Sequence, residues 1–348
     1  MAHRSVSQMN TYERCPRQWY YRYVKKLPEK NSHFFTIGTA FDDAMSLIIE
    51  NGSFSNEAPI ASDDLIEEGL GLLFEKKTQL LGEADFDEET KDEVDEKVFH
   101  LSKLIKPYFN EILPSQGMYP LKTQRKINYY LEDMEDPILG YIDMIAYDYR
   151  IDQQVIVDFK TANSVSPSLD YKRQVWVYAK AIQELDDLPY LPRAEIHMFS
   201  KGTPTLPKAK RVSMDLENEK IHRYPPELIE ELYSGEFIRK KCTLHNADMR
   251  KEDWLTINET YFDLEYSRKH NFFPKNRTHS LCSERFCSFW KTCHSEEESQ
   301  ESLKSMKSQV LNYNQPMEIQ ATVPFMVEPV KPPPECEDSS ASIYDFLS

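Results

Sequence analysis

The sequence predicts an α/β fold, and three observations carry the expectation. Three strand-like segments follow one another after residue 124. A helix and a fourth strand come directly behind them. Long stretches of helical period lie on both sides of that block. At 348 residues the chain is long enough for two average domains or one elaborated domain. Its hydrophobic share of 40% and aromatic share of 12% are enough for a real core. Only 9 glycines argue against a repeat or loop-built architecture.

In chain order, Ser5 to Lys26 reads SVSQMNTYERCPRQWYYRYVKK. Ser7 is a candidate N-cap, Pro16 interrupts the helix after Cys15, and QWYYRYVKK resumes it. Cations (Arg14, Arg17, Arg22, Lys25, Lys26) interleave with aromatics (Trp19, Tyr20, Tyr21, Tyr23). Arg14, Arg17, Trp19, Tyr20 and Arg22 are therefore candidate nucleic-acid contacts, because such a mixture suits a phosphate backbone with stacked bases. A helix burying an aromatic face would look the same. Ile37 to Glu50, IGTAFDDAMSLIIE, reads as a Gly-led turn into an amphipathic helix presenting Asp42 and Asp43. Residues 60–112 are helical by period, with an acidic stretch at 83–97 expected to be solvated. RKINYYLE, ILGYIDMIAY and QVIVDFKTA are the three strands, Tyr171 to Leu185 the helix, and AEIHMFSKG the fourth strand. Residues 214–270 read as helical again. From Ser295 on the chain is polar and contains PVKPPPE, so 296–348 is expected to be an acidic, disordered tail.

The formal net charge of −16 is unevenly spread. Residues 57–98 contribute −11 and residues 296–348 contribute −7, which leaves about +2 for the rest. A local basic groove is compatible with the acidic total. No run of 18 apolar residues suggests a membrane span, and MAHRSVSQMNTYERC has no apolar signal core, so a cytoplasmic location is expected. The six cysteines (15, 242, 282, 287, 293, 336) then point to metal or redox use rather than disulfides. No GxxxxGK[ST] occurs, so no nucleotide-driven motor is expected.

The chemistry concentrates between Gly140 and Tyr178. Two apolar strands each deliver an aspartate, Asp143 and Asp158, across a polar connection suited to a hairpin. Side chains alternate along a strand, so Asp158 and Lys160 share one face and Phe159 takes the other. Carboxylates converging from adjacent strands suit Mg²⁺ or Mn²⁺. Such an ion polarises a phosphodiester and lowers the pKa of an attacking water. Lys160 would orient that water or offset developing charge. Gln174 and Tyr178 lie one helical turn apart on a common face.

GYIDMIAYD, VIVDFKTAN and the Gln174-to-Tyr178 spacing resemble motifs II, III and QxxxY of the RecB-like branch of the PD-(D/E)xK nuclease superfamily. The opening MNTYERCPRQWYYRY is similar to the start of its iron–sulfur members, among them the CRISPR-associated RecB-like exonucleases and the nuclease domain of AddB. The resemblance covers most of residues 5–295. It implies a restriction-endonuclease-like core, a mixed central sheet flanked by helices, with a helical insertion at about 45–120. It also implies metal-dependent cleavage of DNA, with Asp143, Asp158, Lys160, Gln174 and Tyr178 in the catalytic set. Asp42, Asp143, Asp158 and the Phe159 backbone carbonyl would hold the metal. Where the family usually carries a metal-binding His after a G-x-x-apolar turn, this chain has Asp42, which favours a hard ion.

Cys282, Cys287 and Cys293 are spaced C-x4-C-x5-C and need a fourth ligand, for which Cys15, Cys242 and Cys336 are available. Cys336 falls in the tail and Cys242 in a charged segment read as helical. The resemblance implies Cys15 and a [4Fe–4S] cluster, one N-terminal thiolate joining three C-terminal ones. The family trio is usually C-x2-C-x5-C, so the first gap differs. Structural Zn²⁺ is the competing occupant. Either would clasp the two ends of a nuclease domain spanning 1–295.

Three functions follow. The first is a metal-dependent DNA exonuclease acting on single strands or free ends in repair, recombination or replication. The second is a catalytically silent DNA-binding recombination subunit with the same fold. The third is a scaffold whose tail, ending in SIYDFLS, docks a replication or repair protein.

Overall fold

The computed structural model describes residues 4–29, 33–83, 86–131, 134–163, 165–202, 240–279, 281–284 and 286–294. The chain divides into two units, Met1–Cys293 and His294–Ser348. The expected tail and its SIYDFLS end lie outside the described residues, as does the part of the expected 214–270 helix up to residue 239.

Helix α1 (Val6–Arg14) is capped by Ser5, whose hydroxyl accepts from the Gln8 amide at 3.2 Å; the cap is two residues earlier than the sequence suggests. Cys15 takes an extended backbone, and Pro16 opens α2 (Pro16–Trp19), which runs on into a π-turn at Tyr20–Val24. Helix α3 (His33–Asn51) begins before Gly38, so the expected Gly-led turn is instead the interior of a helix. Helices α4 (Asp63–Glu83) and α5 (Glu88–Pro107) follow, the latter capped by Asp87 on the Thr90 amide. A π-turn (Tyr108–Ile112) and a short α6 (Leu113–Ser115) lead into the sheet.

The sheet is mixed and its five strands lie in chain order: β1 (Met118–Tyr129), β2 (Ile138–Asp148), β3 (Gln153–Ala162), β4 (Arg193–Ser200) and β5 (Cys242–Asn246). Only the β3–β4 pair is parallel, joined through α7 (Leu169–Leu185). Edge strand β1 alternates buried and exposed residues, with charged Lys122 and Lys126 turned outward. Central β3 is buried on both faces from Val155 to Phe159, which its apolar run dictates. β5 was not expected; its five residues fall inside the stretch that reads as helix, and among the described residues of that stretch the long helix is α8 (Lys251–Lys269). A short helix, α9 (Trp290–His294), closes the described residues.

Helices cover both faces of the sheet, as the two large cores show. On one side, Met144, Ala146, Val155, Val157, Phe159 and Phe199 pack against α3, α4 and α5. On the other, Ile127, Ile142, Ile145, Ile156 and Ile196 pack against α7, α8 and α1. Arg4 fastens the N-terminal segment to this second side: its buried guanidinium pairs with Asp136 at 2.7 Å and with Glu265 of α8 at 2.5 Å.

Candidate active site

The site forms where β2 and β3 separate. Their ladder ends at Met144↔Val157, and the next residues along the two strands are Asp143 and Asp158. Beyond that point the Asp143 Oδ2 takes over the role of a backbone acceptor, receiving the Phe159 amide at 2.7 Å. The strand irregularity is visible in the packing. Ile142 and Ile145 sit in one core although three residues apart, and Met144 sits in the other, so β2 changes face at Asp143.

Asp158 is fully buried, and neither carboxylate oxygen meets a hydrogen-bond donor in good geometry. Its counterion is Lys160, whose Nζ stands 2.5 Å from Oδ2. The same ammonium donates to the Phe159 carbonyl at 3.2 Å and lies 5.4 Å from the centroid of the Tyr171 ring. Helix α3 brings Asp42 to this group. Its neighbour Asp43 turns away to an ion pair with Lys76 at 3.4 Å.

The carboxyls perturb one another. Burial pushes Asp42 up to about 7; Lys160 opposes the rise, while the Asp158 and Asp43 charges add to it. Asp143 is held well above the usual carboxylate range by burial first, then by Asp158 and Asp42, with Lys160 opposing. Burial also raises Asp158 against the pull of Lys160. For Lys160, burial works downward, but the Asp158 and Asp143 carboxylates outweigh it and the ammonium is strongly held.

Helix α7 supplies the lid. It is capped by Ser168 and presents Tyr171, Gln174 and Tyr178 on one face. Gln174 donates through Nε2 to the Tyr178 hydroxyl at 3.1 Å. The Tyr178 ring lies over Gly140, where even a Cβ would come within 2.6 Å of it. Burial and the Asp158 and Asp143 carboxylates raise the Tyr178 phenol. Tyr171 is the member the sequence reading missed, although its spacing to Gln174 and Tyr178 (i, i+3, i+7) is a usable signal.

Among the described residues, no group of three or more His, Cys, Asp or Glu is arranged to hold a metal ion as it stands. The donor chemistry nonetheless fits a hard divalent cation. Asp158 keeps both carboxylate oxygens buried, Asp143 lies beside it, and one cation, the Lys160 ammonium, already stands between Asp158 and the Phe159 carbonyl.

The N-terminal aromatics are arranged differently from a base-stacking platform. Trp19 is buried, with its ring stacked on Phe273 at 5.5 Å and met edge-on by Tyr12. Tyr20 stacks on the other side of the cluster against Phe273 at 4.8 Å. Arg14 pairs with Asp170 at 3.1 Å, Arg22 with Glu29 at 2.8 Å, and Arg17 lies over the Tyr20 and Tyr21 rings. Trp19 is thus a packing residue of this small core in the structure, while Tyr20 is half-buried. The Arg14–Asp170 pair and an Arg173–Glu13 pair tie α1 to α7.

The cysteines separate into two environments. Cys242 begins β5 and is buried in the core on the α3–α5 side, where burial raises its thiol strongly. It is a strand residue in an apolar core, not part of a charged helix. Cys293 and Cys287 border the small cluster of Tyr21 and Phe289. Burial raises the Cys293 thiol, Lys275 opposes this, and Cys15 and Cys287 lie near enough to add to the rise. The Asn276 amide donates to the Cys15 Sγ at 3.5 Å. All five described cysteines are free thiols. Cys336 lies outside the described residues.

A mixed sheet with helices on both faces, and an Asp–Asp–Lys group where two central strands part, define a core built for phosphodiester chemistry. The model of the PD-(D/E)XK nuclease superfamily matches residues 3–294, and the chain belongs to that superfamily. No curated protein matches the sequence. Among solved structures, a candidate exonuclease from Eubacterium rectale is similar at 10% identity and a TM-score of 0.40, covering 77% of this chain and 79% of that one. A TM-score at that level is too low to bear on the activity of this chain. No helix among the described residues is long and apolar enough to cross a membrane.

Proposed function

We propose that the chain is a Mg²⁺- or Mn²⁺-dependent deoxyribonuclease that degrades DNA from free ends or single strands. The observation that carries this reading is the placement of the Lys160 ammonium on both Asp158 and the Phe159 carbonyl beside Asp143. Those three donors, with Asp42 from α3, would hold the metal. When bound, it would polarise the scissile phosphate and supply an activated water.

The chain's own groups do the rest. Lys160, kept protonated by its carboxylate neighbours, offsets charge on the phosphate as the bond to the attacking oxygen forms. Tyr171 limits where that ammonium can move. Gln174 orients the Tyr178 hydroxyl, and the buried Tyr178 ring walls the site against bulk water. Asp42, raised to about 7 by burial, would release its proton as a metal ion takes its place.

Cys15, Cys282, Cys287 and Cys293 are read as one four-thiolate site holding a [4Fe–4S] cluster, with zinc as the rival occupant. The electrostatic proximity of Cys293 to Cys15 and Cys287 supports this, as does the burial of Cys242 elsewhere. Such a site would join the start of the nuclease unit to its end.

The test is degradation of end-labelled single- and double-stranded DNA with Mg²⁺ or Mn²⁺. Metal-dependent products that vanish in Asp158→Ala are expected. Products absent from the wild type, or persisting in Asp158→Ala, refute the enzyme and leave the silent binding subunit. For the cluster, anaerobic protein should be brown and carry iron, and Cys15→Ser should lose both. Colourless protein with stoichiometric zinc refutes it.

A further inference from the structure

The irregularity in β2 at Asp143 has a matching one in β1. Thr123 pairs with Met144 and Arg125 with Ile142, which leaves Gln124 opposite Asp143 without a ladder partner. Gln124 is one of the few non-glycine residues with positive φ, at 49°, and it lies inside a strand rather than a turn. A left-handed backbone is unfavourable for a residue that carries a Cβ, so the surrounding contacts must hold it. Those contacts are specific. The Thr123 hydroxyl donates to the Asp143 carbonyl at 2.5 Å. The same hydroxyl is 3.1 Å from Ser46 Oγ, and Gln124 Nε2 donates to Ser46 Oγ at 3.1 Å. Ser46 lies one turn beyond Asp42 on α3.

We infer that Ser46, Thr123 and Gln124 form a positioning brace that sets the spacing between the Asp42 and Asp143 carboxylates. The inference rests on the proposed metal-dependent reading of the site. A hydrogen-bonded bridge runs from α3, through two consecutive residues of the edge strand, to the backbone of Asp143. It fixes the peptide from which one carboxylate hangs and the helical turn from which the other hangs. None of the three residues carries a charge or supplies a donor for the metal. Outer partners of this kind usually matter through ligand geometry, and their loss costs about 10–100-fold in metal affinity.

The test compares wild type, Thr123→Val, Thr123→Ser, Ser46→Ala and Gln124→Gly. Three quantities would be measured: Mn²⁺ affinity by calorimetry, thermal stability in chelator, and the split of DNA cleavage into kcat and KM. Thr123→Val and Ser46→Ala should each weaken Mn²⁺ binding about tenfold or more and lower kcat with little change in KM. Thr123→Ser, which keeps the hydroxyl, should restore both. Gln124→Gly, which suits positive φ but lacks the amide, should behave like Ser46→Ala despite unchanged or improved stability in chelator. Should Thr123→Val fail to fold, the Ser46→Ala and Gln124→Gly pair carries the comparison. Wild-type affinity in these variants, or affinity that falls only in step with chelator stability, overturns the brace alone. Wild-type protein that binds no Mn²⁺ overturns the metal-dependent reading and the brace with it.

Discussion

Replacing Gly140 by alanine should disturb the site through a single contact. A Cβ built on Gly140 stands 2.6 Å from Tyr178 Cε1, 2.9 Å from its hydroxyl oxygen and 3.0 Å from Cζ. Carbon atoms pack at about 3.5–4.0 Å, so the ring must retreat by about 1 Å or β2 must give. Neither is free to do so. Tyr178 is 5% exposed and hydrogen-bonded to Gln174, and Gly140 is paired with Ile127 across the sheet. Overpacking of this sort costs about 1–3 kcal/mol, or about 2–4 °C of Tm for each kcal/mol in a domain approaching this size. Activity should fall further than stability, since a misplacement of about 1 Å beside reacting groups can cost about 100-fold. The assay is a double-mutant cycle by urea unfolding with Tyr178→Ala as the second change. Removing the ring should make Gly140→Ala nearly neutral, giving a coupling above about 1 kcal/mol. A coupling near zero, or no loss of stability in Gly140→Ala, would refute the packing argument.

Other expectations follow from the same geometry. Lys160→Met removes the cation that bridges Asp158 and Phe159; Mn²⁺ affinity by calorimetry should rise on the order of tenfold while cleavage falls by about 100-fold or more. For Asp42 the folded pKa, about 7, lies above its ordinary value of 3.8, so the folded state binds the extra proton. Stability from this group is therefore full below about pH 4 and is lost as pH rises through about 7, by at most about 4 kcal/mol. Metal-free protein should lose stability over that window in chemical denaturation, and Asp42→Asn should make the loss smaller. Trp19→Ala should cost about 3–5 kcal/mol in unfolding experiments, because its ring packs against Phe273 and Tyr12.

Which parts of this were legible in the sequence depended on how local their causes are. β2, β3 and α7 announce themselves because apolar runs and capping residues lie within one segment, and Asp143, Asp158 and Lys160 come with them. β5 was read as helix because CTLHN is short, partly exposed and flanked by charge, so neither period dominates. The first residues of β1 were missed because Pro120 and the charges around it suit an edge strand with a bulge, which lowers any strand propensity. Trp19 and Tyr20 could not be assigned, since aromatics interleaved with cations describe a stacking surface and an aromatic core face equally well. What turns Asp43 away from Asp42 is Lys76, a whole helix further along the chain. Ser46 and Thr123 are 77 residues apart, and nothing local marks their contact.

An aspartate at position 42, where the resemblance implies a histidine, adds a third carboxyl to a buried group. With all groups ionised, Asp42, Asp143, Asp158 and Lys160 carry two net negative charges in a buried space. Burial and mutual repulsion therefore favour protons on the carboxyls. A neutral histidine would leave one fewer negative charge to neutralise. Because Asp42 is poised at about 7, a divalent cation binding this site competes with its proton, and binding releases that proton near neutral pH. The affinity for such an ion must then rise as pH passes upward through about 7, while the stability of the metal-free fold moves the other way. Opposite slopes for the two quantities near neutral pH are the signature of a carboxylate here, and substituting Asp42 by asparagine should reduce both together, leaving the part that Asp143 and Asp158 contribute.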